Sequence, residues 1–285
     1  MSPRRLNLLI LEILTIILFI VFMMPFLMVV LNSAKDAKEI IADPIGLPSN
    51  WGTLLSNVKT IVTSPNINYV PSFISSVIIT TLSLGLIALT AAMGGWVLVR
   101  SKSKLSTFIF MMFVAAMVIP FQVVMFPLVA FFRMIREATG IPLLQTYQGM
   151  ILAYIGFGSS LSIFMFHGFI KGIPLELEEA ATIDGCTRPQ IFFQIVLPIL
   201  KPIFVTIVIL NGIWVWNDYL LPLLILGTGG DIQTLPLAVA NFVGSYVKKW
   251  DLILTSTLMA MLPAIVLFIF AQKQIVRGMV EGSIK

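Results

Sequence analysis

The sequence predicts an all-α membrane protein: six transmembrane helices with one helical cytoplasmic loop. Three observations lead there. Of the 285 residues, 58% are hydrophobic and 11% charged, against about 25% charge in soluble domains. The chain therefore cannot cover itself with polar surface, and most of its solvent is lipid. Six apolar stretches, 8–31, 70–99, 105–132, 149–170, 202–226 and 252–272, each reach the ~20 residues a helix needs to cross ~30 Å of hydrocarbon. The third observation is a long polar, helix-forming segment, 171–201, lying between two of these stretches.

Hydrocarbon offers backbone groups no water to bond, so the spans are helices. The short alternating strands of a barrel are missing from the sequence. The first stretch follows Arg4 and Arg5 but is too long for a cleaved signal peptide and lacks a small-residue cleavage site, so it reads as a retained span. Glu12 lies early in it and reads as a snorkelling or locally paired side chain. The segment from Asn32 to Tyr69, with Pro44, Pro48 and Pro65, reads as an irregular outer loop with short helical pieces. Val70 to Val99 carries no charge. In the third span Pro120 and Pro127 predict a bend, and Gln122 between them is a candidate pore residue. The fourth span holds His167, read as a packing residue, and Gly168 with Gly172 at the spacing of close helix contact.

Six spans put both termini on one side. Arg4, Arg5, Arg100, Lys102, Lys104, Lys171, Arg188, Lys201, Lys273, Arg277 and Lys285 fall on that side, eleven of the 18 basic residues. Lys35, Lys38, Lys59, Arg133, Arg136, Lys248 and Lys249 fall on the other. The positive-inside rule places both termini and the 171–201 loop in the cytoplasm of a multi-pass cell-membrane protein. The net charge of +5 follows from this loop topology. Basic residues do not cluster with aromatics on a polar segment, which argues against a nucleic-acid partner. One cysteine, Cys186, and one histidine exclude an internal disulfide and a Cys- or His-based metal cluster.

The polar loop reads as two short helices with a glycine corner. Pro174 suits a first helical turn, and Glu176 and Glu178 lie near the positive end of the helix dipole. This helix runs to Asp184 and stops at Gly185. Thr187 then opens a second helix, with Pro189 and Gln190 completing a capping box. Ala180 and Ala181 give the first helix a narrow waist that a partner groove can approach. Pro198 and Pro202 break the path into the fifth span.

These residues also form a pattern. Glu179-Ala180-Ala181, three residues, Gly185, nine residues, Ile195, one residue and Leu197-Pro198 resemble the E-A-A-x3-G-x9-I-x-L-P loop of membrane subunits of ATP-binding-cassette importers. The chain as a whole resembles the smaller six-span permease of the maltose-transporter type. Trp216-Asn217-Asp218-Tyr219-Leu220 resembles a W-N-[DE]-[FY]-L segment of sugar permeases. Gln272-Lys273-Gln274-Ile275-Val276-Arg277-Gly278 resembles their C-terminal tail, and Asn32-Ser33 followed by Lys35 is similar to their first outer segment. Cys186 and Thr187 depart from the commoner alanine or serine.

The resemblance implies a type I ABC importer permease fold and a set of partners. These are a second, homologous permease, two copies of a cytoplasmic ABC ATPase that binds ATP and Mg, and an extracytoplasmic solute-binding protein. It implies ATPase coupling by Glu178, Glu179, Ala180, Ala181, Asp184, Gly185 and Pro198, and ATPase contact by Gln274, Arg277 and Gly278 of the tail. The substrate it favours is a di- or oligosaccharide. A glycerol-phosphate or other polar-solute importer is the alternative, and a secondary transporter a more distant one. The chain has no phosphate loop of its own, no cofactor motif, and no nucleophile–histidine–acid set or metal cluster, so it reads as a non-catalytic subunit.

Polar residues at membrane depth are functional candidates. Asn211, Trp214 and Asp218 fall on one helical face and offer the aromatic and hydrogen-bonding groups of a sugar site. Asn217 is displaced from that face and could brace a neighbouring helix. Polar packing between helices is the competing explanation. In the loop 227–249, Phe242, Tyr246 and Trp250 recur at four-residue spacing, with Gly244 and Ser245 permitting a turn. They are candidates for binding-protein contact, with an interfacial aromatic belt as the competing explanation.

The tail yields the first test. Deleting Gly278 to Lys285 is expected to impair transport while leaving membrane insertion intact. Unchanged uptake by the truncated protein would remove the tail from the coupling machinery.

Overall fold

The computed structural model describes residues 3–64, 68–245 and 249–283. Among these the regular structure is helical throughout. Four helices are long and apolar enough to cross a membrane alone, and two bent pairs bring the number of spans to six. The chain falls into two compact units, Met1–Tyr69 with Ala238–Leu262, and Val70–Leu237 with Pro263–Lys285.

In the first unit, α1 (Pro3–Ser33) is followed by α2 (Ala37–Ala42) and α3 (Gly52–Thr63). The apolar window of α1 buries none of its residues within this chain. Its C-terminal end is tied by a polar knot, since its last carbonyls have no intrahelical donors. Asn57 Nδ2 donates to the carbonyls of Ser33 (3.1 Å) and Lys35 (3.3 Å), and Thr255 Oγ1 donates to Ser33 (3.0 Å). Lys35 is wholly buried and donates to the Asp43 carbonyl at 2.6 Å. Asp36 caps α2 by accepting from the N–H groups of Lys38 and Glu39.

The second unit is organised around α7 (Tyr147–Ile170), which follows α4 (Tyr69–Arg100), α5 (Lys104–Ala116) and α6 (Phe121–Thr139). After α7 come the loop helices α8 (Glu176–Ile183) and α9 (Arg188–Ile191), then α10 (Leu197–Ile199), α11 (Lys201–Asn217) and α12 (Leu220–Leu226); α13 (Leu235–Ser245) follows and belongs from Ala238 onward to the first unit. Helix α14 (Trp250–Ser283) ends the described chain. One buried cluster gathers Ile87, Met150, Tyr154, Leu221 and Ile225, and a second gathers Ala91, Phe166, Ile170, Phe192 and Ile207. Close packing here falls on glycines. A Cβ on Gly158 would stand 2.7 Å from Ile87 Cδ1 and 2.9 Å from Asn211 Oδ1, and one on Gly95 would stand 3.0 Å from Phe166 Cβ. Gly168 meets open space, so the Gly168–Gly172 spacing marks no close contact at its first position.

Two expected spans are not straight helices. The third, expected as 105–132, is broken between α5 and α6, which meet at 109°. Pro120 has an extended ψ of 138°. It lacks the N–H needed to continue α5, and the residue before it avoids the helical region. The fifth, expected as 202–226, stops at Asn217 and resumes at Leu220, because Asp218 is extended with ψ 132°. Asn211, Trp214 and Asp218 therefore do not share one uninterrupted helical face. Upstream, Arg188–Ile199 meets Lys201–Asn217 at 76°, and a π-helical turn at Phe192–Val196 precedes the break. Helix α14 carries Gln274, Arg277 and Gly278 on its continuous backbone, with their side chains outside the described residues.

Gly158→Val should overpack the contact with Ile87 and Asn211 and cost about 1–3 kcal/mol. Gly168→Ala, placed in open space, should be close to neutral. Thermal unfolding of both variants in the same detergent checks the difference.

Candidate coupling site and the membrane polar cluster

Helix α8 follows the sequence logic of the loop. Glu176, Glu178 and Glu179 occupy its first turn, where negative charge is favoured. Gly185 adopts a φ of +84°, which only glycine takes at low cost. It is preceded by the Asp184 C-cap. Gln190 Oε1 accepts from the Thr187 backbone N–H at 2.7 Å, the reciprocal half of a capping box.

The two faces of α8 differ sharply. Glu178 and Ala181 are buried. Glu179, Ala180 and Asp184 are exposed, and Ile183 is 85% exposed. Ile183 therefore presents apolar surface at the tip of an otherwise polar helix. Sequence reasoning grouped Glu178 and Ala181 with the partner-facing residues, and the structure turns both inward.

Glu178 is held by side chains that sequence reasoning missed. Arg100 Nε donates to its Oε1 at 2.8 Å, and Trp96 Nε1 donates to its Oε2 at 3.0 Å. Arg100 Nη2 also pairs with Oε1 at 2.8 Å and donates to the Ile173 carbonyl at 3.1 Å. The side chains are 20% exposed for Arg100 and 9% for Glu178. An exposed pair is worth about 0–1 kcal/mol, whereas removing one partner of a buried pair costs about 3–5 kcal/mol. This pair lies nearer the second case. The signal in the sequence was faint: a Trp and an Arg four apart at the end of an uncharged span. Pro198 is exposed on α10, away from the α8 tip in sequence and close to the bend into α11.

The polar residues of the fifth span are mostly committed to packing. Asn211 is 5% exposed. Its Nδ2 donates to Ser162 Oγ at 3.1 Å and to the Ile207 carbonyl at 3.0 Å. Asn217 is exposed and donates to the Ile213 carbonyl of its own helix at 2.8 Å. Tyr154, another residue missed, is fully buried. It donates to Asp218 Oδ2 at 3.1 Å, while Asp218 Oδ1 accepts from the Leu220 N–H at 3.0 Å. Trp214, 40% exposed, meets the Tyr154 ring edge-on with centroids 5.4 Å apart. Gln122 is exposed in the first turn of α6. His167 is 7% exposed and stacks on Phe110 at 3.7 Å, as expected of a packing residue.

Of the outer aromatic residues, Phe242 and Trp250 lie on different helices. Phe242 is on α13 and 5% exposed, whereas Trp250 begins α14 after a break. The break between two helices cancels the four-residue spacing that linked them, and burial withdraws Phe242 from contact. Gly244 and Ser245 end α13 with their side chains outside the described residues, and Tyr246 lies outside them altogether.

The chain is thus a multi-span helical protein that holds a short, charged, apolar-tipped helix against the end of α4. Residues 84–281 match the model of the binding-protein-dependent transport system inner membrane component family. The chain belongs to that family, and it is a multi-pass membrane permease subunit of a binding-protein-dependent ABC importer. It is 38% identical over 270 residues to a probable starch degradation products transport system permease of Thermoanaerobacterium thermosulfurigenes, covering 95% of this chain and 94% of that one. An arabinooligosaccharides transport system permease of Halalkalibacterium halodurans is 34% identical, with 92% and 90% covered. The fold matches a chain of a bacterial ABC transporter involved in alginate import, with TM-score 0.74 at 18% identity over 96% of this chain and 98% of that one. The type I importer permease fold expected from the loop motif is thus the fold observed.

Asp218→Ala should remove a backbone cap and leave the Tyr154 hydroxyl buried without its acceptor, costing about 1–3 kcal/mol. Tyr154→Phe should cost about 1 kcal/mol. Thermal stability of the purified membrane complex distinguishes the two.

Proposed function

We propose that this chain forms half of the translocation pathway of an ATP-driven oligosaccharide importer and that α8 is its contact with a cytoplasmic ABC ATPase. The observation that carries this reading is the two-sided character of α8. A buried carboxylate anchors one side to the membrane helices, and the other presents Ile183 beside Glu179, Ala180, Asp184 and the Gly185 corner. A rigid helix with one anchored and one unpartnered side can pass displacement from a soluble partner into the bilayer.

In this reading both termini and α8 face the cytoplasm. Two copies of the ATPase bind ATP and Mg beneath the membrane, and a second, homologous permease completes the pathway. The apolar window of α1, unburied within this chain, leaves room for that second subunit. The C-terminal part of α14, with Gln274, Arg277 and Gly278, runs toward the ATPase side. The binding protein named in the family description delivers substrate on the opposite face, toward loop 227–249. ATPase closure around ATP displaces α8 and switches the pathway between inward- and outward-facing states. The chain itself does no covalent chemistry.

An uncharged oligosaccharide fits the membrane interior better than a phosphorylated solute. The apolar windows of the spans carry almost no Lys or Arg, which a phosphate would need. The similar permeases named above serve starch degradation products and arabinooligosaccharides. Exposed Trp214 and Gln122 are the remaining candidate substrate contacts, and Asn217 at the end of α11 is a third. Asn211 and Asp218 support the helices behind them.

Ile183→Asp and Gly185→Asp test the docking contact. The first charges the exposed tip. The second forces a Cβ into a left-handed conformation at about 1–2 kcal/mol. Both proteins should insert normally, and ATPase co-purification or substrate-stimulated hydrolysis should fall sharply. Normal values for both in either variant would sink the docking assignment. In the same reconstituted system, uptake of a labelled neutral oligosaccharide but not of glycerol phosphate is the expected substrate result.

A further inference from the structure

We propose that Arg100 and Trp96 are positioning residues that carry α8 displacement directly into α4, a route separate from the covalent links through α7 and α11. This rests on the reading of α8 as the ATPase contact. Trp96 and Arg100 are four residues apart and so lie on one face of the last turn of α4. That single turn holds three points of the cytoplasmic loop. Arg100 Nη2 bonds the Ile173 carbonyl just before α8. Arg100 and Trp96 together bond both carboxylate oxygens of Glu178 within α8. The Trp96 ring packs on Phe192, the first residue of the π-helical turn beyond α9, with centroids 5.4 Å apart.

The covalent links on either side of the loop are poorly suited to transmit a push. Before α8 the chain passes through the turn at Lys171–Pro174, where helical bonding has lapsed. Between α8 and α9 it passes through Gly185 with its positive φ. After α9 it runs through a π turn and a 76° bend before α11. Each is a place where backbone rotation can absorb motion. The Glu178 clamp is different: a planar guanidinium and a rigid indole fix one carboxylate from two directions, and charge-assisted bonds of this kind are directional and strong. Beside the buried packing of Ala181, Phe192 and Val196 that leads toward α11, the clamp thus gives a load on α8 a direct connection to the α4 terminus. From there α4 passes it to α7 at the close contact of Gly95 with Phe166 and His167.

The test uses the full importer, with this chain, its partner permease, ATPase and binding protein, in proteoliposomes. Arg100→Gln removes the charge, and Trp96→Phe keeps an aromatic ring against Phe192 while removing the N–H donor. In each, substrate transported per ATP hydrolysed should fall about five-fold or more, the lower range of a coupling free energy, while the ATPase content of the purified complex stays at wild-type level. A merely structural anchor would lower ATPase content and transport together and leave their ratio unchanged, and that result overturns the proposal. If Arg100→Gln does not assemble, Trp96→Phe decides: an unchanged transport-to-hydrolysis ratio overturns the proposal. Ile183→Asp, run in parallel, separates the two readings. If it uncouples while the Arg100 and Trp96 variants transport normally, the α4 route fails and the docking reading stands. If Ile183→Asp leaves ATPase binding and coupling normal, the docking reading fails and this proposal falls with it.

Discussion

A single carboxylate between an indole and a guanidinium determines how the 171–201 loop of this protein is held. Glu178 is acidic and 7% exposed, a state that is expensive unless both oxygens are satisfied. Trp96 and Arg100 satisfy them. With that anchor made, α8 cannot rotate freely about its axis, so the choice of outward residues is settled: Glu179, Ala180, Ile183 and Asp184 face away. The loop becomes a fixed projection of the membrane domain instead of a solvated connector.

The bilayer imposes the second constraint. Interrupted helices at membrane depth are tolerated where the freed backbone groups find partners. The break after α11 meets this condition: Asp218 accepts from the Leu220 N–H and from the buried Tyr154 hydroxyl. A group that looks like a substrate ligand in the sequence is then a structural device that stabilises a broken span. Asn211, bonded to Ser162 across to α7, has the same character. What stays exposed is aromatic and amide surface, Trp214 and Asn217 on α11 and Gln122 on α6.

Much of the local structure of the 171–201 loop was legible in the sequence. The glycine corner, the Thr187–Gln190 box and the acidic first turn are local chemistry, decided within four residues of chain. The side of α8 that faces inward was not legible, because it depends on Trp96 and Arg100 about 80 residues earlier. The third and fifth spans read as continuous by hydropathy, since apolar residues flank both breaks. Pro120 signalled a bend but not its size, and Asp218 gave no hint of stopping a helix until Tyr154 came beside it. The four-residue spacing does not carry from Phe242 to Trp250, because the two lie on separate helices, α13 and α14.

The amino-acid sequence by itself determined that this is a helical membrane protein, where its apolar spans lie, and where the 171–201 loop turns, because hydropathy, caps and glycine corners act over a few neighbouring residues. Only the tertiary structure decided which acid of the Glu178–Glu179 pair is anchored and which is free, where the spans break, and which polar groups are consumed by packing. Those outcomes rest on contacts between residues tens of positions apart, where burial sets the energy of each charge and hydrogen bond.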